Sequence, residues 1–535
     1  MKNITQYLSR KIKFIGFVLI LLVLVGDFIR NWPVRFIETI VNSALDGDMN
    51  TILMFGGLYL IFHLFGALTK SLSNYLSAYL QTDIGISIQN KLYSKLLRVS
   101  LISLQGKNSI EITNSLIEDS EFISNNLIAP LVKLFSAIVS FVIALVIMLN
   151  ISWQLTLITL PCGLVISLTA RAISKKSEKN ISEKRTKSSY LWKTFAEGIK
   201  GVMPIRLYRY DKKYKEIIFT ANEEIKKVTL IQRKLEDMSF FFVSTLFMFT
   251  IGIIMISSAI FVVRGTMTIG SLTAVMMYNH MLVDPLIDVL DIQQNLIKLK
   301  VSLRRVNSLF SLPDDKNVDK EVVKVDEVVL KNLAFTYDGS EHVFNKINME
   351  LTAPLNLCIM GESGAGKTTL ANLIASLHTP TDGEILYFCC NKKMNGVPNI
   401  SYLIQDGYLF DKSIVENIKI ANPLINEEKI NNLIELCCLK DVLEVHKDNP
   451  IGENGNHLSG GERKRVRIAQ MLANEAADIY IFDELTSSLD EYTAKKITKN
   501  IFDLGLNKIC IFIEHDKKMT KFMDKTIIIE NGEIK

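Results

Sequence analysis

A glycine-rich stretch near the middle of the chain carries residue types that bind phosphate. The apolar run Leu355–Met360 is typical of a buried strand, and after six further residues Lys367, Thr368 and Thr369 open a helical pattern. The loop between them consists of Gly361, Glu362, Ser363, Gly364, Ala365 and Gly366. Glycines let backbone N–H groups approach an anion closely, a lysine here reaches the β- and γ-phosphates, and the threonine hydroxyl is a ligand for Mg²⁺. The order strand, loop and helix therefore predicts a site for ATP and Mg²⁺.

Two more apolar strands end in groups that suit phosphate chemistry. The run Ile479–Glu484 ends in Asp483 and Glu484, and the run "ICIFIEHD" delivers His515 to the same predicted edge. A strand can end in acids only because it turns into solvent, and a lone histidine at a strand end is more often structural. Beside a phosphate loop, however, the set predicts that Asp483 holds Mg²⁺ and that Glu484, with His515, activates an attacking water.

A second glycine pair also suggests an anion site. It lies in "NHLSGGERKR", where Ser459, Gly460 and Gly461 precede Glu462. Ser459 comes 92 positions after Lys367. A hydroxyl followed by two glycines is a phosphate-binding pattern in its own right. One chain therefore carries two cradles, although a single nucleotide needs only one.

The first half of the chain must hold these parts at a membrane. Hydrophobic residues make up 48% of the 535 residues, and the mean hydropathy is +0.23. Six apolar segments have about the length that crosses a bilayer as a helix. They are residues 14–29, 52–68, 127–149, 153–173, 238–263 and 269–290. This predicts an all-α six-helix transmembrane domain.

Charge predicts how this domain is oriented. Residues 171–234 contain 18 Lys and Arg against 7 Asp and Glu, whereas the short loops of the opposite side carry only Arg30, Arg35 and Arg264. By the positive-inside rule, both long loops and the two termini face the cytosol, which fits a multi-pass protein of the cytoplasmic membrane. The long loops contain few Gly or Pro and have helical periodicity, so we expect them to be helical extensions of the spans rather than solvated coil. Seven scattered cysteines predict reduced thiols and no zinc site.

In this order, the elements resemble the ABC transporter family in its exporter-type half-transporter form. "LSGGE" (Leu458–Glu462) is the most specific motif, and the resemblance covers nearly the whole chain. It implies a transmembrane domain over residues 1–310, a linker over 311–324, and an α/β P-loop ATPase domain over 325–535. In this family two ATPase domains pack head to tail, so Ser459, Gly460, Gly461 and Glu462 are expected to bind the ATP of a partner. The two cradles would then serve two nucleotides.

The resemblance also implies roles that the residues alone do not give. Tyr337 would stack on adenine, and Gln405 would link Mg²⁺ to the membrane domain. Glu453 would lie in the loop that touches the coupling helices, which are expected in residues 117–123 and 197–208. Asp490 would communicate between the two ATP sites. Glu462 stands where glutamine is commoner, a departure that touches no group expected to do chemistry.

These features predict ATP-driven export by alternating access, in a homodimer or with a related half-transporter, and no nucleic-acid partner. An importer on the same fold, for example for a metal–siderophore complex, is the first alternative. An ATP-gated channel or regulator is the second, although Glu484 and His515 favour turnover.

The sixth segment offers a candidate substrate cavity. His280, Asp284, Asp288 and Asp291 are spaced to share one helical face, and charged groups in spans usually face a cavity. We expect Asp288 and Asp291 to pair with loop lysines near the cytosolic end, and His280 and Asp284 to be the better candidates, joined by Asp27. Methionines nearby would provide an adaptable lining. An amphipathic or cationic peptide is favoured, with drugs and lipids close behind.

Overall fold

The computed structural model describes residues 10–107, 109–337, 342–514, 517–530 and 532–535. These residues form two compact units. The first comprises residues 10–94 and 109–310, and the second residues 95–107 and 311–535. The short segment 95–107 therefore belongs to the second unit although it lies in the first long loop of the sequence.

The first unit is helical. Its helices are Arg10–Asn31, Val34–Asp46, Met49–Leu96, Ser109–Asn114, Ser120–Ile151, Trp153–Lys200, Val202–Leu207, Asp211–Val263 and Ile269–Phe310, with a π-helical turn at Ser115–Asp119. The helix Met49–Leu96 runs on into the second unit. In the described residues, five helical stretches are long and apolar enough to cross a membrane. The chain is a multi-pass membrane protein.

Each predicted apolar segment lies inside one of these helices, and the predicted fold class is confirmed. The extensions are continuous with the apolar segments: Trp153–Lys200 is 48 residues long and Asp211–Val263 is 53. The helix Ile269–Phe310 is not among the five most apolar ones, and it carries Asp284 and Asp288 in its first half. The sequence pattern did not predict the helix Val34–Asp46, which Pro33 starts and Gly47 ends in the left-handed region at φ 73°.

Local sequence also sets the sharp turn between two long helices. Ser152 is extended at φ −158°, and its hydroxyl accepts a hydrogen bond from the N–H of Leu155, which caps the helix that follows. Near this turn a buried cluster packs Ile147 of the helix Ser120–Ile151 with Ala274 and Tyr278 of the helix Ile269–Phe310. The Tyr278 hydroxyl donates to the carbonyl of Asn31 or Trp32, at 3.3 Å in each case. The polar end of this buried ring is therefore satisfied.

The second unit is an α/β domain. Its strands are β1 (Val322–Val323), β2 (Glu327–Thr336), β3 (His342–Thr352), β4 (Leu355–Gly361), β5 (Asp382–Cys389), β6 (Lys392–Met394), β7 (Val397–Pro398), β8 (Ile400–Leu403), β9 (Ile479–Asp483), β10 (Ile509–Ile513), β11 (Lys525–Glu530) and β12 (Glu533–Ile534). The main sheet has the order β12-β11-β4-β10-β9-β8, and all of it is parallel except β12. A four-stranded antiparallel sheet has the order β3-β2-β5-β6.

Short helices accompany this sheet. They are Leu101–Leu104, Lys367–Ile374, Ile414–Lys419, Glu427–Leu436, Lys440–His446, Gly460–Leu472 and Glu491–Asp503, with 3₁₀ turns at Glu453–Gly455 and Lys517–Phe522. Both β9 and β10 are buried along their whole length, as strands of a parallel sheet covered on both faces are. The carboxyl ends of β4, β8, β9 and β10 therefore meet at one edge.

Candidate functional site

The phosphate loop lies at this edge, where β4 ends. Gly361 has φ 151°, and a Cβ there would lie 2.5 Å from the carbonyl oxygen of Ile529. Gly366 has φ 97°, and its Cβ would lie 2.8 Å from the ring of Phe344. Side chains are therefore excluded at both ends of the loop, by conformation and by space. Between them the backbone is open to an anion, at the N-terminus of the helix Lys367–Ile374.

Lys367 is buried against this loop. Its ammonium donates to the carbonyl oxygens of Gly361 and Glu362, at 2.8 Å each. Burial lowers the pKa of Lys367, and the charges of Asp483 and Glu484 oppose that shift. A cation so placed attracts phosphate oxygens.

Two oxygen donors of the kind that Mg²⁺ prefers come together beside the loop. The Thr368 hydroxyl donates to the Asp483 carboxylate at 3.0 Å, although the residues are 115 positions apart. Burial raises the pKa of Asp483, while the Thr368 hydrogen bond and the charges of Lys464 and Lys367 lower it. The pair fits a magnesium site, since this ion takes few protein ligands besides phosphate oxygens.

Glu484 follows at the end of β9. Its φ is 52°, in the left-handed region that residues other than glycine rarely adopt. Its N–H donates to the Ile513 carbonyl at 3.0 Å, and the Ser487 hydroxyl donates to its carbonyl at 2.9 Å. The backbone of Glu484 is therefore fixed by neighbours on two sides. Such strain often accompanies function.

Other predicted residues of this site differ in what surrounds them. The Tyr337 hydroxyl shares a hydrogen bond of 2.9 Å with the Thr369 hydroxyl of the phosphate-loop helix, and the residue as a whole is 41% exposed. Leu403 pairs with Phe482 in the parallel register, so Gln405 and Glu484 both lie two residues beyond the strand pair. Gln405 is exposed. His515 lies outside the described residues.

The second cradle is an exposed, capped helix start. The Ser459 hydroxyl accepts the N–H of Glu462 at 3.2 Å, and the Glu462 carboxylate accepts the N–H of Ser459 at 2.7 Å, which together form a capping box. The Ser459 bonds lower the pKa of Glu462. Among the described residues, a Cβ at Gly460 would have only Ser488 within 4 Å, and one at Gly461 would meet Ser488 and Leu489. The phosphate loop, all of whose residues are described, is not among these neighbours.

Asp490 and Glu453 have structural surroundings of their own. The Asp490 carboxylate accepts the N–H of Thr493 at 2.9 Å and thereby caps the helix Glu491–Asp503. Glu453 is exposed at the start of a 3₁₀ turn. Capping alone accounts for the aspartate at position 490, so the communicating role stays a prediction.

Sequence reasoning missed two buried charges behind Glu484. Lys464 is 2% exposed and Glu514 is 4% exposed. Burial lowers the pKa of Lys464 to about 8 and raises the pKa of Glu514 to about 7. A signal existed for the lysine, because Lys464 precedes the buried Ile468 by four residues and therefore shares its helical face.

The membrane candidates divide into two groups. His280 and Asp284 are exposed one turn apart on one helix, and the His280 ring lies 4.7 Å from that of Phe247. Asp27 is 3% exposed and pairs with Arg30 of its own helix at 3.0 Å. Asp288 pairs at 2.7 Å with Lys133, which lies in the helix Ser120–Ile151. The prediction that Asp288 pairs with a loop lysine was therefore wrong, because Lys133 on a neighbouring helix lies within ion-pair distance.

Comparisons with known proteins match a transmembrane family model to the helical part of the chain and an ATP-binding one to the α/β part. The family model described as "ABC transporter transmembrane region" matches residues 14–286, and the one described as "ABC transporter" matches residues 344–487. The lactococcin-G-processing and transport ATP-binding protein of Lactococcus lactis is 25% identical over 528 residues, which cover 93% of this chain and 72% of that protein. The ATP-dependent lipid A-core flippase of Yersinia pestis is 24% identical over 87% of this chain and 82% of its own length.

A solved structure shares the fold. The structure of a bacterial Atm1-family ABC exporter with ATP bound aligns with a TM-score of 0.82, over 98% of this chain and 94% of that one. The two sequences are 19% identical, so the likeness is one of fold.

Proposed function

This chain belongs to the ABC transporter family, and on that premise we propose that two copies of it form an ATP-driven exporter. It is a half-transporter, with a transmembrane region and an ATP-binding domain in one chain, and it is an ATP-hydrolysing translocase. The identity of the partner, the substrate, the direction of transport and the alternating-access cycle are what the proposal adds.

The residues at the sheet edge suit ATP hydrolysis in a definite way. Lys367 and the open backbone of the phosphate loop bind the phosphates, and Tyr337 carries the adenine. Thr368 and Asp483, with Gln405 from the same edge, hold Mg²⁺, which when bound neutralises charge on the phosphates. Glu484 accepts a proton from the attacking water. His515 completes the set on the strength of the sequence alone.

The observation that carries the dimer is the exposed second cradle. Ser459, Gly460 and Gly461 start a helix whose capping box does not use the backbone N–H groups of Gly460 and Gly461, and the nearest described neighbours of these glycines are Ser488 and Leu489 rather than the phosphate loop. We therefore assign this cradle, with Glu462, to the ATP held by a second copy. Asp490, a few residues beyond Ser488, then lies where the two sites communicate. A homodimer follows from the completeness of the set within one chain.

The proposed cargo is an amphipathic or cationic peptide. Asp284 and His280 are exposed polar groups within the predicted sixth apolar segment, and a carboxylate in a span usually faces a cavity. Asp27 already has a partner in Arg30, so we place the recognition of charge at Asp284 and His280. The relative from Lactococcus lactis, whose name describes the processing and transport of lactococcin G, supports a peptide. The lipid A-core flippase keeps a lipid as the second candidate.

A mixed dimer tests the shared sites. Ser459→Arg spoils the site of the opposite chain, and Lys367→Ala spoils the site of its own chain. In a dimer of one copy of each, both lesions fall on one composite site and the other stays whole. Two different affinity tags isolate this dimer, and we expect about half of the parent turnover if the two sites work independently.

Each variant alone must be inactive for the test to count, and dimers of two Lys367→Ala copies, isolated in the same way, are the control. If Ser459 served the nucleotide of its own chain, each site would carry one lesion and the mixed dimer would stay inactive. Direction is tested separately with inside-out vesicles and a labelled cationic peptide. An exporter fills the vesicles when ATP is added outside them. An importer on this fold does not, and a gated channel passes the peptide without accumulating it.

A further inference from the structure

Two buried charges lie directly behind the hydrolysis site. Lys464 projects from the helix Gly460–Leu472, and Glu514 follows β10. Both are almost fully buried, at 2% and 4% exposure. Burying a charged group is costly unless other groups compensate it, so their partners indicate what the two charges do.

Lys464 holds a specific peptide bond. Its ammonium donates to the carbonyl oxygen of Asp483 at 3.2 Å. The N–H of the same peptide belongs to Glu484 and donates to the Ile513 carbonyl at 3.0 Å. Both polar ends of the peptide that joins Asp483 to Glu484 are therefore fixed, one by a charged group.

Glu514 lies beside the residues that follow. Burial raises the pKa of Glu514 to about 7, whereas the backbone N–H groups of Leu485 and Thr486 and the positive charge of Lys464 lower it. Its Oε1 is buried and has no hydrogen-bond partner among the described residues. Lys464 and Glu514 therefore both contact the turn from Asp483 to Thr486.

This turn is strained at one residue. Glu484 has φ 52°, which costs free energy for a residue with a Cβ unless its surroundings enforce it. Hydrogen bonds to charged groups are roughly twice as strong as those between neutral groups, so Lys464 and Glu514 are suited to enforce it.

We propose that Lys464 and Glu514 are positioning residues for ATP hydrolysis, which hold the turn 483–486 so that the Glu484 carboxylate is presented to the attacking water. In this proposal neither residue contacts the nucleotide. Lys464 also lies five residues after Ser459 on the same helix, so a shift of this helix on the partner's ATP reaches the turn that carries Glu484. The inference rests on the role of Glu484 in the proposed function.

The first test removes the donor to the Asp483 carbonyl. Lys464→Met keeps most of the length of the side chain and loses its ammonium. A displacement of about 1 Å in an active site can cost about 10²-fold, so we expect kcat of the full-length transporter to fall between about 10- and 10²-fold. We expect KM for ATP to stay within about twofold, because an interaction that acts only on the reacting geometry lowers kcat. Lys440→Met, an exposed lysine paired with Glu435, is the matched control and should match the parent in both constants.

A second variant separates positioning from stability. Lys464→Met alone leaves the Glu514 charge buried without its counter-charge, and we expect its Tm to fall. The double variant Lys464→Met/Glu514→Gln removes both of these charges, and the glutamine keeps the shape of the glutamate side chain. We expect the double variant to regain Tm while its kcat stays at least about tenfold below the parent, since the Asp483 carbonyl still lacks its donor. If Lys464→Met does not fold, the double variant carries the test.

Three results would overturn the inference. The first is a kcat of Lys464→Met equal to that of the parent. The second is a double variant in which kcat recovers together with Tm. The third is a Lys464→Met variant with a raised KM for ATP and an unchanged kcat. Glu484→Gln separates this failure from that of the proposed function. An inactive Glu484→Gln beside a fully active Lys464→Met ends only the positioning role, whereas an active Glu484→Gln ends the premise.

Discussion

Replacing the Glu484 carboxylate by an amide should separate ATP binding from ATP hydrolysis. Glu484→Gln keeps the shape of the side chain. Its backbone is fixed independently of the side chain, by the bond from its N–H to the Ile513 carbonyl at 3.0 Å and the bond from the Ser487 hydroxyl at 2.9 Å. The left-handed conformation at this position therefore survives the change, and only the proton acceptor is lost.

The size of the effect follows from that loss. Removing a general base typically costs about 10²–10⁴-fold in rate. At about 1.4 kcal/mol for each factor of ten, the barrier to hydrolysis rises by about 3 to 5 kcal/mol. Lys367, Thr368 and Asp483, which we propose to bind phosphate and Mg²⁺, keep their contacts in the variant. Mg-ATP at 100 times its Kd should therefore stabilise parent and variant alike, by about 2.7 kcal/mol.

Two measurements on the same preparation check this. Steady-state phosphate release gives turnover, and thermal unfolding with and without Mg-ATP gives binding. Turnover within a factor of about two of the parent would remove Glu484 from its role, since a lost general base costs at least about 10²-fold. Lost stabilisation by Mg-ATP would instead make Glu484 part of the binding site.

Three further substitutions probe separate parts of the molecule. Lys367→Ala should greatly reduce the stabilisation by Mg-ATP, because the phosphate loop loses the cation proposed to reach the terminal phosphates; an unchanged thermal shift would contradict this. Asp284→Asn should lower peptide accumulation in inside-out vesicles with basal ATPase within about twofold, since only the cavity charge is lost; unchanged accumulation of the true substrate would make Asp284 structural. Glu462→Gln should keep ATPase activity, because an amide oxygen can still accept the Ser459 N–H. Hydrogen bonding lowers the folded pKa of Glu462, so its stabilising contribution is present above about pH 4.5 and lost as pH falls through the folded pKa. The Tm difference between parent and Glu462→Gln should therefore vanish on acidification, and a constant difference would contradict the capping box.

The ATP site could be predicted from the sequence because its parts are local. The phosphate loop needs a strand, glycines and a lysine in consecutive positions, and each remains recognisable whatever surrounds it. Asp483 and Glu484 likewise end an apolar run that is fully buried in the structure. Topology then joined Thr368 to Asp483, since β4 and β9 are separated only by β10 in the sheet.

Features that depend on a contact between residues far apart in the sequence could not be predicted in this way. The pairing of Asp288 with Lys133 joins two helices that the sequence separates by more than 100 residues. The segment 95–107 joins the second unit through contacts such as the bond from the Ser100 N–H to the Pro313 carbonyl, at 3.1 Å. Hydropathy and charge describe a segment alone, and both features depend on a partner elsewhere in the chain.

Lys464 shows what the sequence of a single motif can predict and what it cannot. Its spacing from Ile468 places it on the buried face of its helix, but spacing does not identify what that face covers. The fold supplies the answer, a peptide carbonyl at the end of β9. The helix that begins with the second cradle thus also holds the turn that carries Glu484. In the proposed dimer the second cradle binds the partner's nucleotide at one end of this helix, and Lys464, five residues after Ser459, is bonded to the Asp483 carbonyl beside Glu484. The proposal thus joins the occupancy of one nucleotide site to the geometry of the other through a single helix.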